Sequence, residues 1–196
     1  MSSEVHRIFS VGGKTVDKIR HGIRPEISYI YTPYEFQDDA PDFVTRVAEQ
    51  HTITYGVTNT LMAKLKEPNG KSSYREFLYF KLFQTFDIRE SRRDVQDPGP
   101  ARRPFSVVNL ELDVLPHPLV SFSARNQYSV NSGDWTQTNY DLGLSDRRGD
   151  SVVLGYRYTM NAIAEINVAL RAVVTERLEA NYLIRQNKFD NKIVEE

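Results

Sequence analysis

The chain has 196 residues, 40% of them hydrophobic and 26% charged, with 25 lysines and arginines against 26 acidic residues. That composition supports a folded chain and excludes wholesale disorder, while a formal charge of -1 lacks the basic excess of a nucleic-acid binder. The absence of cysteine excludes a disulfide scaffold, a thiolate metal site and a cysteine nucleophile.

No apolar run approaches the ~18 residues of a transmembrane helix. The mean hydropathy of -0.50 reads as soluble for every class but one. A membrane β-barrel alternates apolar and polar residues, and averaging erases its lipid-facing surface. The opening MSSEVHRIFSVGGK has neither the basic start nor the apolar stretch of a signal peptide. The closing NKFDNKIVEE breaks off at what reads as the start of another strand. Both ends therefore read as cut.

Period-two alternation dominates from the first recognisable element onward. Ile27, Tyr29 and Tyr31 alternate with Glu26, Ser28 and Thr32. A long connection, Pro33 to Glu49, follows; its Asp38, Asp39 and Asp42 are a conceivable calcium set, with a solvated acidic loop as the plainer reading. The clearest strand is 50–66. Ile53, Tyr55, Val57, Leu61, Ala63 and Leu65 interleave with Gln50, Thr52, Thr54, Thr58, Thr60 and Lys64. An extended chain sends these sets to opposite faces, whereas helical spacing would scatter the threonines all round.

After a short Pro68-Asn69-Gly70 turn, residues 74–89 read as a strand of mixed character, with Phe77, Tyr79 and Phe83 sharing a face with Arg75, Lys81 and Asp87. A second long connection (Glu90 to Pro104) gathers Arg92, Arg93, Arg102 and Arg103 near Arg89; on an outer surface these guanidiniums suit lipid phosphates, against the plainer reading of a solvated loop. Val108, Leu110, Leu112 and Val114 then alternate with Asn109, Glu111 and Asp113, and beyond Pro116-His117-Pro118, Val120, Phe122, Ala124 and Tyr128 alternate with Ser121, Ser123, Arg125 and Gln127. Four further segments repeat the pattern: 138–144, 152–159 with Arg157 inward, 166–175 with Arg171 inward, and 178–185.

The fold class expected is all-β, about nine antiparallel up-and-down strands in an open curved sheet. No segment offers a convincing amphipathic helix. Strands of roughly ten residues or more exceed the ~5–6 of soluble domains and match what a tilted strand needs to cross a bilayer. Charges sit mid-strand on the non-apolar face, where a wet lumen tolerates them. The lumen-lining candidates are Thr52, Thr54, Thr58, Asn109, Glu111, Asp113, Arg125, Arg157 and Arg171. Aromatics recur on the apolar face, often toward strand ends (Tyr29, Tyr31, Tyr74, Phe86, Tyr128, Tyr140, Tyr156, Tyr158, Tyr182), as interfacial girdles require. The early connections alternate long and short, which places both long loops on one side of the membrane, the exterior.

Catalytic signatures are missing. The glycines give no GxGxxG, GxSxG or P-loop spacing, and there is no HExxH. His117 lies between prolines in a turn, and His51 beside Glu49 reads as an interfacial polar residue more readily than as an acid–base pair. Glu111 and Asp113 share a face, which admits a carboxylate pair, but lumen charge explains them as well. No metal site, cofactor or enzymatic activity is expected.

Several stretches, in order, resemble the C-terminal barrel of the outer-membrane lipopolysaccharide (LPS) assembly family, LptD (also called OstA or Imp). They are His21-Gly-Ile-Arg-Pro-Glu-Ile-Ser-Tyr-Ile-Tyr-Thr-Pro33, Ile53-Thr-Tyr-Gly-Val-Thr-Asn-Thr-Leu61, Phe83-Gln-Thr-Phe-Asp-Ile-Arg-Glu90, Val153-Leu-Gly-Tyr-Arg-Tyr158 and Asn181-Tyr-Leu-Ile-Arg-Gln-Asn-Lys188. The resemblance implies that residues 1–196 form a single region, part of an outer-membrane barrel domain truncated at both ends. It also implies a missing signal peptide and periplasmic β-jellyroll before it and further strands, with the family's cysteines, after it. The implied work is structural: wall of a translocon that inserts LPS into the outer leaflet, without the lateral opening. The implied partners are LPS, an LptE-like lipoprotein plug, the periplasmic LPS-transport bridge through the missing N-terminal domain, and the outer membrane. Two other functions stay open on the residues alone: an outer-membrane phospholipase or protease, and a soluble β-sandwich binding module.

Overall fold

The computed structural model describes residues 3–34, 48–67, 70–95, 99–175 and 178–188, and the backbone of 193–195. Eleven strands pair in chain order into one antiparallel sheet. They are β1 (Val5–Ser10), β2 (Val16–Thr32), β3 (Gln50–Lys66), β4 (Ser72–Asp87), β5 (Val108–His117), β6 (Val120–Ser129), β7 (Asp134–Ser145), β8 (Ser151–Thr159), β9 (Ile163–Thr175), β10 (Leu178–Asn187) and β11 (Ile193–Glu195). Each strand hydrogen-bonds only to its sequence neighbours, so β1 and β11 are the edges and the sheet is open. The strands expected from alternation are β2 to β10; β1 and β11 are additions.

Two features join the strands. One five-residue helix, α1 (Ile88–Arg92), opens the connection between β4 and β5. Tight turns do the rest at most other junctions, with φ > 0 at Gly149 and at Asn161 (φ 60). Asparagine tolerates that left-handed conformation better than most side chains because its amide bonds locally. The two long connections, 33–49 and 88–107, leave β2 and β4 at the same end of the sheet. The first four connections after β2 therefore alternate long and short, and the later ones are brief at both ends.

Strand length departs from soluble norms. β2 and β3 have 17 residues each and β4 has 16, where a bilayer needs ~9–11. Among the described residues no second layer covers the sheet. Among the described residues the buried hydrophobic side chains are Ala63 and Ala124 alone. Ile27 is 58% exposed, Tyr29 60% and Leu154 43%. A β-sandwich would enclose such side chains between two sheets; here they stand bare on one.

The mixed character of β4 has a physical cause. A bulge between Leu61 and Met62 lets β4 carry one residue more than β3, so Leu61 faces Leu78 but Met62 faces Glu76. Because strand side chains alternate, one extra residue reverses the faces below it. Tyr79 therefore pairs with Thr60 on the polar face, whereas Arg75 pairs with Ala63 on the apolar face. The expected shared face of Tyr79 and Arg75 is corrected accordingly.

Candidate functional site

Cross-strand register carries one polar row across most of the sheet. Arg24 faces Thr58, Thr58 faces Lys81, Lys81 faces Glu111, Glu111 faces Arg125, Arg125 faces Asn139, Asn139 faces Arg157 and Arg157 faces Glu165. Directly opposed residues share a face, so strands far apart in sequence present one continuous hydrophilic surface. Asn109 lies one row toward the long-loop end, facing Gln127; Asp113 lies one row the other way, facing Ser123. Thr52, Thr54 and Arg171 occupy the same face, opposite Asp87, Thr85 and Ser151. All nine lumen candidates thus lie on one side of the sheet.

Their charges are paired locally. Arg125 donates from Nη2 to Asp113 Oδ2 at 2.6 Å and from Nη1 to the carbonyls of Leu112 and Ala124. Two strands on, Arg157 repeats the arrangement, donating from Nη2 to both oxygens of Asp141 at 2.7 Å and from Nη1 to the carbonyls of Tyr140 and Tyr156. Arg171 pairs with Glu179 at 2.6 Å, and Glu26 accepts from Arg24 at 2.7 Å with Lys81 at 3.7 Å. Neutral contacts fill the gaps: Asn109 with Gln127 at 3.1 Å, Thr54 with Thr85 at 2.8 Å. Asp141 is a partner that alternation places on this face but that carries no signal of its own in the sequence. Asp113 is held directly by Arg125, whereas Glu111 lies opposite Lys81 and Arg125 in register.

The opposite face is hydrocarbon with an aromatic band at the long-loop end. Tyr29 and Tyr31 meet His51 edge-on at 5.7 and 5.2 Å, Phe86 meets Phe105 at 5.1 Å, and Tyr128 meets Trp135 at 5.3 Å. Rings of that amphipathic kind suit a lipid–water boundary. Three expected members differ: Tyr74 pairs with Lys64 on the polar face, and Tyr140 and Tyr156 stack on each other at 6.3 Å within the strands. Polar residues also stand on the apolar face: His21 and Asn59 satisfy each other through Nε2 and Oδ1 at 3.3 Å, and Arg75, Gln84 and Asn126 lie opposite Ala63, Tyr55 and Leu110.

Above that band, the β4–β5 connection is organised around Glu90. Asp87 caps α1 by accepting the Glu90 amide at 2.9 Å, and the Glu90 carboxylate accepts Arg93 Nε at 2.8 Å, Arg93 Nη2 at 3.0 Å and the Arg103 amide at 3.1 Å. The Arg93 guanidinium, first of all, holds the Glu90 carboxyl at about 2, well below its ordinary 4.5. Arg93 also donates to the Pro100 carbonyl, and Arg102 donates from Nε to the Arg93 carbonyl. Arg89 pairs with Glu49 at 3.1 Å. Of the four arginines expected to meet phosphate, Arg93 is thus a strut of the loop. Arg92, Arg102 and Arg103 are exposed, and their guanidiniums make no ion pair with a carboxylate among the described residues.

The remaining sequence candidates fall as follows. His51 bonds the Tyr29 hydroxyl at 3.1 Å, and His117 Nδ1 accepts the Leu119 amide at 3.2 Å inside its turn. Asp38, Asp39 and Asp42 lie outside the described residues.

Comparison with known proteins agrees with the geometry. The family model described as LptD, LPS transport system D, matches residues 9–188. A protein of Burkholderia ambifaria described as LPS-assembly protein LptD is 26% identical over 157 residues, covering 70% of this chain. The chain spans 19% of that relative's length. A family model that runs through nearly every strand of the sheet settles the assignment: the chain belongs to the LptD family of LPS transport proteins.

Proposed function

We propose that this chain is a section of the wall of an outer-membrane translocon that delivers LPS to the outer leaflet. The observation that carries the proposal is the uncovered apolar face set against a continuous charged face on the same strands. Lipid satisfies the first and a water-filled interior the second. In this reading residues 1–196 are one region of a larger barrel. Thr52, Thr54, Thr58, Asn109, Glu111, Asp113, Arg125, Arg157 and Arg171 line the interior, and the long loops face the cell exterior. The neighbouring strands that complete the barrel pair with β1 and β11. The polar interior has room for a lipoprotein plug of the LptE kind, and LPS arrives from a periplasmic transport bridge.

The wall itself does no chemistry in this account. Several of its charges are tied in pairs by near neighbours, Arg125 with Asp113, Arg157 with Asp141 and Arg171 with Glu179, which keeps the interior hydrophilic. The test is depletion of the protein in its own cell, with surface LPS measured by an antibody that cannot cross the outer membrane. Surface LPS falls while LPS accumulates inside; unchanged surface LPS overturns the proposal.

A further inference from the structure

The hydrocarbon face is not uncharged throughout. In the register of β1 to β10 its positions carry two permanent cations, Arg7 and Arg75, and no carboxylate. Both stand at one level. Arg7 lies three residues before the short-turn end of β1, and Arg75 three residues after the short-turn start of β4. Arg7 faces His21 and Arg75 faces Ala63. Three strand spacings separate them, about 15 Å in all.

Bonding within the protein does not account for them. Arg7 makes no ion pair among the described residues and lies over the Phe9 ring at 5.1 Å. Arg75 uses Nη2 to reach the Pro116 carbonyl at 3.0 Å, beside the β5–β6 turn, and its Nε is buried without a partner. A buried donor left unpaired is a cost, so internal contacts are a poor reason for an arginine there. The acids around it are engaged or turned away. Glu67 accepts from Ser73, Asp17 is shared by Lys64 and Lys66, Glu4 pairs with Arg20, and Glu76 faces Met62 on the polar side. Arg75 is on the hydrocarbon side only because the extra residue of β4 reverses the faces below it. A cation placed in hydrocarbon is costly, and a long side chain near a strand end carries its charge to the nearest interface. The Pro116 contact shows that direction: toward the short turns.

We propose that Arg7 and Arg75 hold the headgroups of anionic glycerophospholipids against the outside of the wall, at the level of the inner leaflet. This rests on the translocon reading for its orientation: the long loops face the exterior, so the short-turn end meets the inner leaflet. The arginines stand on the side turned to the bilayer, away from the interior, so the lipid they meet belongs to the surrounding membrane. A guanidinium forks onto two phosphate oxygens, and a separation of about 15 Å suits two neighbouring headgroups rather than one. Phe9, Ile19, Leu61 and Ala63 lie between the two arginines on the same face and give the acyl chains an apolar bed. With no carboxylate in register on that face, nothing there repels a negative headgroup.

The test uses the protein as its cell makes it, purified in detergent, with bound lipids counted by mass spectrometry of the intact complex. The probes are phosphatidylglycerol, phosphatidylcholine with the same chains, and lipid A. The wild type prefers phosphatidylglycerol over phosphatidylcholine by about tenfold or more, the scale of two basic residues at a headgroup surface. R7Q/R75Q loses that preference, and R7K/R75K keeps most of it and reports correct folding. The single variants R7Q and R75Q each lose about fivefold, which keeps the proposal testable where the double variant does not fold. Equal retention of both phospholipids by the wild type, or an undiminished preference in R7Q/R75Q, overturns the proposal. So does displacement of phosphatidylglycerol by lipid A at lower concentration, which marks a site for cargo, or by an acidic amphipathic peptide, which marks a protein partner. Failure here is separable from failure of the translocon reading. Depletion that lowers surface LPS, with no phosphatidylglycerol preference, removes the lipid site and leaves the wall. Depletion without effect, together with an arginine-dependent preference, removes the translocon and leaves the lipid site.

Discussion

Gly56 shows how a single missing side chain shapes the polar face. A Cβ there would lie 2.6 Å from the Leu82 carbonyl and 2.8 Å from Phe83 Cβ, so Phe83 lies over its glycine neighbour and the two strands approach closely. Gly56→Val forces backbone apart and costs about 1–3 kcal/mol, measured by urea unfolding of the protein from lipid vesicles; a change below about 0.5 kcal/mol contradicts the packing. The repeated Arg–Asp pairs behave differently. Arg157 and Asp141 side chains are 36% and 37% exposed, so solvent screens them and a double-mutant cycle with Asp141→Asn and Arg157→Gln returns a coupling of about 1 kcal/mol or less. The stretch 52–60 showed its face plainly because Thr52, Thr54, Thr58 and Thr60 share one alternation, broken only by Gly56. Asp141 and Lys18 did not stand out, because what matters about each is a partner brought alongside from another strand.

At the scale of elements, the β4–β5 connection is held by one carboxylate. Glu90 titrates at about 2 in the folded chain against an ordinary 4.5, so its contribution to loop order is complete above the ordinary value. It is lost as pH falls through the folded value. Protection of the Arg103 amide from hydrogen exchange, corrected for intrinsic rate, therefore persists when pH drops below 4.5 and disappears near 2; Glu90→Gln removes it at every pH. Protection already lost near the ordinary carboxylate pKa contradicts the clamp. The sequence grouped Arg92, Arg93, Arg102 and Arg103 as equals because adjacency is all it records. The Glu90 carboxylate separates Arg93 from the rest. The strand pattern was legible wherever one face was uniform. It blurred in β4, where the bulge exchanges faces, and it passed over β1, where Arg7 and His6 put polar residues on both sides of a strand of six.

For the whole molecule, the physics of the edges decides what the 196-residue chain does alone. Unpaired backbone groups in hydrocarbon cost several kcal/mol each, and β1 and β11 present two such edges. The chain by itself, refolded in detergent, accordingly gives no heat-modifiable, protease-resistant monomer; such a monomer would show that the sheet closes without further strands. Fold class and family were both readable from alternation and from the ordered stretches between His21 and Lys188, because a sheet with one apolar and one polar face repeats its pattern at every second residue. The facing of Lys18 and Lys64 was not readable, since the two are set side by side only by the antiparallel pairing of β2 with β3.

The central claim is that neighbouring residues on one strand meet different solvents, and the absence of cysteine makes it directly measurable. Single cysteines at Asn109, Leu110, Asn139 and Tyr140 are exposed, in the outer membrane, to a charged thiol reagent small enough to enter a water-filled barrel. The account predicts labelling at Asn109 and Asn139 and none at Leu110 and Tyr140. Equal labelling within each neighbouring pair, or labelling of Leu110 and Tyr140 alone, would contradict it.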